Sequence, residues 1–110
     1  MKMNDSLLAL YKTVVERKEK KEDGSYTCYL FEKGIDKILK KCGEECSEVI
    51  IAAKNGNNQE TVLEISDLLY HLMVLMVDQG IALEDVMQEL DKRSQKTGNL
   101  KTFHQVDKNS

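Results

Sequence analysis

The sequence predicts an all-α fold, an antiparallel bundle of four to five helices. Three observations carry that expectation. The 110-residue chain has no proline, the strongest helix breaker, and only six glycines. Its β-branched residues nowhere alternate with polar ones over a strand's length. Apolar residues recur instead at three- and four-residue intervals between short polar breaks. A chain this short makes one domain with a small core, which invites a partner subunit.

The elements follow in order. Asn4 or Asp5 suits the N-cap of a first helix carrying Leu7, Leu10, Tyr11, Val14 and Val15 at helical spacing. That helix runs into a mixed charge run, Glu16 to Glu22, and Asp23-Gly24-Ser25 breaks it. Tyr26 to Gly34 is short, apolar and aromatic, and reads as a short helix, with a loop as the alternative. Ile35 to Lys54 is strongly amphipathic: Ile35, Ile38, Leu39, Cys42, Cys46, Val49, Ile50 and Ala53 cover one wide face. Asn55-Gly56-Asn57-Asn58 ends it. A fourth helix, about Gln59 to Gln79, is apolar almost all round, which predicts burial on most sides. Gly80 stops it. A fifth begins near Leu83 with Glu84 and Asp85 in its first turn and ends in Lys92-Arg93, matching the helix dipole. These elements place a single domain over residues 1–96, followed by a polar, loosely ordered tail over 97–110.

Composition excludes several function classes. Sixteen basic and nineteen acidic residues give a net charge of −3, which offers no case for nucleic-acid or membrane-surface binding. The longest apolar run, Leu68 to Val77, is too short to span a bilayer, and no signal peptide is recognisable. Cys28, Cys42 and Cys46 are odd in number and fit no disulfide framework, which points to a reducing, cytoplasmic setting. There is no glycine-rich phosphate loop, and His71 and His104 have no evident nucleophile partner. Cys42 and Cys46, four residues apart, read as core cysteines; a zinc site would need a second ligand pair.

The informative feature is acid where the pattern calls for apolar residues. Glu44, Glu45 and Glu48 lie at three- and four-residue spacings beside the apolar stripe of the third helix. Alone, such a triplet reads as a solvated face. The fourth helix repeats the device with Glu64 and Asp67, and a short turn makes the two helices antiparallel neighbours. Glu45, Glu48, Glu64 and Asp67 can then converge into a hard-oxygen site for Mg²⁺ or Mn²⁺. Structural ion pairs with Lys37 or Lys41 are the alternative. Lys37 and Lys41 also place positive charge where a polyphosphate would lie beside a metal. His71 projects to the side of Glu64 and Asp67, and either touches substrate or is a satisfied core histidine. Tyr26, Tyr29 and Phe31 either wall a base pocket or simply pack.

Glu44-Glu45-x-x-Glu48 followed by Glu64-x-x-Asp67 resembles the signature of the all-α nucleoside triphosphate pyrophosphohydrolases. Ser25-Tyr26-Thr27, Leu30-Phe31-x-Lys33-Gly34, Lys37-Ile38-x-Lys40-Lys41-x-Gly43-Glu44-Glu45, Ala52-Ala53-Lys54 and Asp67-Leu68-Leu69-Tyr70-His71 narrow the resemblance. It is closest to the phosphoribosyl-ATP pyrophosphatases of histidine biosynthesis, in their stand-alone form, over about Leu7 to Arg93. The resemblance implies a bundle that dimerises through its apolar helices and hydrolyses phosphoribosyl-ATP to phosphoribosyl-AMP and pyrophosphate with Mg²⁺. Carried over by position, Glu45, Glu48, Glu64 and Asp67 hold the metal, and Glu44 is a further ligand or orients water. Glu44 and Glu45 are thus the candidate catalytic carboxylates. Lys37, Lys41 or Lys54 would neutralise the phosphate chain, helped by Lys33, with Tyr26 and His71 as further substrate contacts. A house-cleaning nucleotide pyrophosphohydrolase and a non-enzymatic helical dimerisation module are the competing readings.

Overall fold

A computed structural model describes residues 3–95 of the chain. The expected tail over 97–110, with His104, lies outside the described residues. Five helices follow one another: α1 (Met3–Glu19), α2 (Tyr26–Lys33), α3 (Ile35–Lys54), α4 (Asn58–Gln79) and α5 (Leu83–Ser94). The fold is all-α, with no strand among the described residues. Among these, no helix is long and apolar enough to cross a membrane.

The breaks are set by local chemistry. Ser25 caps α2, its Oγ accepting the Cys28 N–H at 3.1 Å, so the short helix holds and the loop alternative falls. Gly34, at φ +92°, turns the chain directly from α2 into α3, a conformation a side chain would strain. Asn57 caps α4 through its Oδ1, which accepts the Glu60 N–H at 2.9 Å. α4 ends on left-handed Gly80, and the Ile81 N–H returns to the Met76 carbonyl at 2.8 Å.

α3 and α4 form the most extensive helix pair, folded back on each other by the turn at residues 55–57. α1 packs across α4, and α2 fills the angle between α1, α3 and α4. Val14, Leu30, Ile38, Met73, Val74 and Leu83 form the buried core, with Leu7, Leu10, Tyr11, Phe31 and Tyr70 packed against it. The Tyr11 hydroxyl donates to the Ile81 carbonyl at 2.8 Å and ties α1 to the α4–α5 turn.

Two expectations about burial are corrected. α4 is not buried on most sides: Val62, Leu63, Ile65 and Leu69 are exposed. The core takes only its second half, from Tyr70 to Val77, which clusters with Val14 of α1 and Leu30 of α2. Nor does the apolar face of α3 turn inward as one. Ile38, Cys42 and Ala52 are buried beside Glu45, whereas Ile35, Leu39, Cys46, Ile50 and Ala53 are exposed. Cys46 is therefore not a core cysteine, while Cys42 is; both are free thiols. A helical wheel counts apolar residues without knowing which of them a neighbour reaches.

Leu30 has no exposed surface and touches the middle of the core. Leu30→Ala should lower stability by about 2–5 kcal/mol, read from the midpoint of urea unfolding. A loss under about 0.5 kcal/mol would mean that the core lies elsewhere.

Candidate functional site

The α3–α4 pair carries the acidic cluster. α3 presents Glu45 and Glu48 one turn apart, and α4 meets them with Glu64. One carboxylate oxygen from each of these three lies within 4.8 Å of the other two. Across an octahedral Mg²⁺ opposite oxygens are about 4.2 Å apart, so the three oxygens need close only slightly to grip such an ion. The donor set is all hard oxygen, which also fits Mn²⁺.

Burial differs sharply within the cluster. Glu45 is only 6% exposed, Glu64 is half-buried and Glu48 faces solvent. Glu45 is pushed up to about 7, by a hydrogen bond shared with Glu48, by burial, and by the charges of Glu48 and Asp67, against the opposing pull of Lys41. Glu64 is also raised, first by desolvation and then by Glu48, Asp67 and Glu60. Asp67 is thus within electrostatic reach of Glu45 and hydrogen-bonding reach of Glu64, although it stands outside the tight trio. Glu44 turns aside and pairs with Lys41 at 3.3 Å, the i,i+3 pair rather than a Lys41–Glu45 pair.

The remaining candidates spread around this centre. Lys41 is held up by its hydrogen bond to Glu44. Lys37 is half-buried one turn earlier on α3. Lys54 is exposed at the far end of α3, and Lys33 ends α2 with its ammonium 5.7 Å from the Tyr29 ring centre. Tyr26 is 45% exposed and lies in the fields of Lys41, Glu45 and Glu44. His71 is buried, and both ring nitrogens are engaged: Nδ1 at 2.8 Å from the Asp67 backbone carbonyl and Nε2 at 3.2 Å from the Tyr26 hydroxyl. Tyr29 stacks on Tyr26, whereas Phe31 packs on the core.

Sequence reasoning missed two features. Thr27 and Tyr70 are hydrogen-bonded through their hydroxyls, and Tyr70 stacks on Tyr26, so α2 is fastened to α4 beside the acids. A cleft of about 290 Å³ opens on the cluster between Glu48, Asn55, Glu60 and Glu64. The asparagines of the turn gave the only hint of it, and they read as a helix stop.

Fold and side chains together define an all-helical protein whose longest antiparallel pair carries converging carboxylates. The family described as phosphoribosyl-ATP pyrophosphohydrolase matches residues 7–94, and the chain belongs to it. Relatives named phosphoribosyl-ATP pyrophosphatase are similar over most of its length. The Clostridium novyi (strain NT) protein is 54% identical over 97 residues, 88% of each chain. That of Bacillus cereus (strain B4264) is 50% identical over 105 residues, 96% of this chain and 98% of the relative. The Pelotomaculum thermopropionicum protein is 55% identical over 92 residues, 84% of this chain and 94% of its own.

The raised Glu45 carboxyl has a stability consequence. The folded chain holds the proton up to about pH 7, while an ordinary glutamate releases it near 4.5. In cation-free buffer, stability should therefore fall as pH rises from about 4.5 to 7. Glu45→Gln should flatten that fall in thermal melts with chelator present. An unchanged slope would show that Glu45 is not the group under strain.

Proposed function

We propose that the protein hydrolyses phosphoribosyl-ATP to phosphoribosyl-AMP and pyrophosphate in a Mg²⁺-dependent reaction, the second step of histidine biosynthesis, in the cytoplasm. The convergence of Glu45, Glu48 and Glu64 from two helices, in a chain of this family, is the observation that carries the reading. Glu45, Glu48, Glu64 and Asp67 would hold the ion, with Mn²⁺ as a substitute. Bound there, the ion supplies positive charge to the phosphate oxygens and makes water more acidic.

The chain's own residues do the rest. The trio crowds negative charge that is relieved when a cation arrives. Lys41 bridges Glu44 and the field of Tyr26, so it can turn its ammonium to a phosphate oxygen at modest cost to a partly exposed pair. Lys37, one turn away, extends that positive edge, with Lys33 and Lys54 as outlying cations. Water beside the acids gives a proton to a carboxylate, Glu45 of the cluster or Glu44 beside it, and its oxygen attacks the α-phosphorus. The bond from the α-phosphorus to its bridging oxygen breaks, and pyrophosphate leaves with the β- and γ-phosphates.

A homodimer completes the reading. Ile50, at 67% exposed, and Val62, at 62%, lead an apolar surface with Ile51, Leu63, Ile65 and Leu69 along the α3–α4 arm. So much exposed apolar area on neighbouring helices supports association through that arm.

Glu48→Gln or Asp67→Asn should cut Mg²⁺-dependent pyrophosphate release from phosphoribosyl-ATP by at least about 100-fold with helix content unchanged; ordinary deoxynucleoside triphosphates turned over in preference would favour the house-cleaning reading. Ile50→Asp combined with Leu63→Asp should give a monomer in sedimentation analysis. A dimer persisting in that variant would place the interface elsewhere.

A further inference from the structure

Tyr26 stands where three groups meet, and the direction of its hydrogen bonds can be worked out. His71 Nδ1 lies 2.8 Å from the backbone carbonyl oxygen of Asp67, which can only accept. Nδ1 therefore carries a proton. In the neutral ring this leaves Nε2 as an acceptor, 3.2 Å from the Tyr26 hydroxyl oxygen. Burial pushes the Tyr26 phenol up, which keeps it protonated, and its one proton goes to His71. Toward the rest of the site the Tyr26 oxygen can then only accept.

That polarity selects what can sit there. A phosphate oxygen, itself an acceptor, finds no proton on Tyr26. A hydroxyl does find its acceptor. Tyr26 borders a cleft of about 520 Å³ with Lys21, Gly24, Ser25, Tyr29 and Glu32. It also lies in the field of Lys41 and Glu45. In a nucleoside triphosphate with its α-phosphate at the acids, the donors next along the molecule are the ribose hydroxyls.

We infer that Tyr26 determines specificity by accepting a hydrogen bond from a ribose hydroxyl of the nucleotide, with His71 as the positioning residue that fixes its polarity. The inference rests on the nucleotide reading above and deepens it, giving Tyr26, until here an unspecified substrate contact, a place at the sugar. His71 acts through Tyr26 and touches no reacting atom.

Two measurements test it. The ¹⁵N spectrum of the histidines in the unmodified protein should show His71 protonated at Nδ1 and bare at Nε2; an Nε2–H tautomer or an imidazolium would overturn the inference. In the second, phosphoribosyl-ATP is compared with its 2′-deoxy and 3′-deoxy analogues in the adenosine sugar. The parent enzyme should lose about 5- to 10-fold in kcat/KM on at least one analogue, the worth of one neutral hydrogen bond. Tyr26→Phe, which keeps the ring stacked on Tyr29 and Tyr70, should lose a similar factor on phosphoribosyl-ATP and no longer distinguish that analogue. Equal kcat/KM on all three substrates with the parent enzyme, or an undiminished preference in Tyr26→Phe, overturns the role of Tyr26 and leaves the pyrophosphatase reading standing. Absence of pyrophosphate release by the parent enzyme refutes that reading and this inference with it.

Discussion

Glu45 is buried on α3 against Glu48 of its own helix and Glu64 of the next, and like charges at that range cannot all ionise without help. Packing between α3 and α4 forces the three together, and the close turn at residues 55–57 keeps the helices from splaying. The pair thus holds a concentration of negative charge in place before any cation arrives. Such preorganisation carries a cost in stability, visible as the raised Glu45 and Glu64 carboxyls. On the proposed reading, the same preorganisation would let the carboxylates take up a divalent ion with little rearrangement.

Where the core lies explains how that strain is tolerated. The hydrophobic core cluster gathers at one end, from Val14 and Leu30 to Met73, Val74 and Leu83. They anchor the second half of α4, just past Asp67 and His71. The first half of α4 and the second half of α3 extend beyond as an arm, acidic on one side and apolar on another. A small chain with a single core at one end leaves this arm half-covered. The exposed isoleucines and leucines of the arm are therefore a consequence of the same layout that leaves Glu48 open to solvent.

Much of this was legible in the residues. The helix α3 runs from Ile35 to Lys54 as expected, because a glycine precedes it and an Asn-Gly turn follows. The pairing of Glu45 and Glu48 with Glu64 followed from helical spacing and a short turn alone. What periodicity could not supply was direction. A wheel gives α3 one wide apolar face, but the neighbours reach only the strip through Ile38, Cys42 and Ala52, leaving Cys46 and Ile50 outside. It also could not say that Glu44 would turn to Lys41, since residues one apart diverge by about 100° and a local cation decides the rest. The Thr27–Tyr70 bond joins residues far apart in the chain and has no signature at short range.

The two readings of His71, substrate contact or satisfied interior histidine, are separated by its partners. A ring with both nitrogens engaged and almost no exposed surface has no free lone pair or proton to offer a ligand. Its Nδ1 is bound to the backbone of Asp67, one turn earlier on α4, so its orientation is inherited from the helix rather than from a mobile side chain. The Tyr26 hydroxyl, on α2, is fixed in turn by that ring. A backbone carbonyl of one element thereby orients the ring that meets the Tyr26 hydroxyl of another, and Asp67 belongs to both ends of the arrangement: its carboxylate lies within reach of the acidic cluster while its carbonyl orients the aromatic edge. Displacing the first turn of α2 would disturb Tyr26, and through His71 the segment that carries Asp67. The aromatic segment after Ser25 is for that reason part of the site's frame, even though none of its residues is a carboxylate.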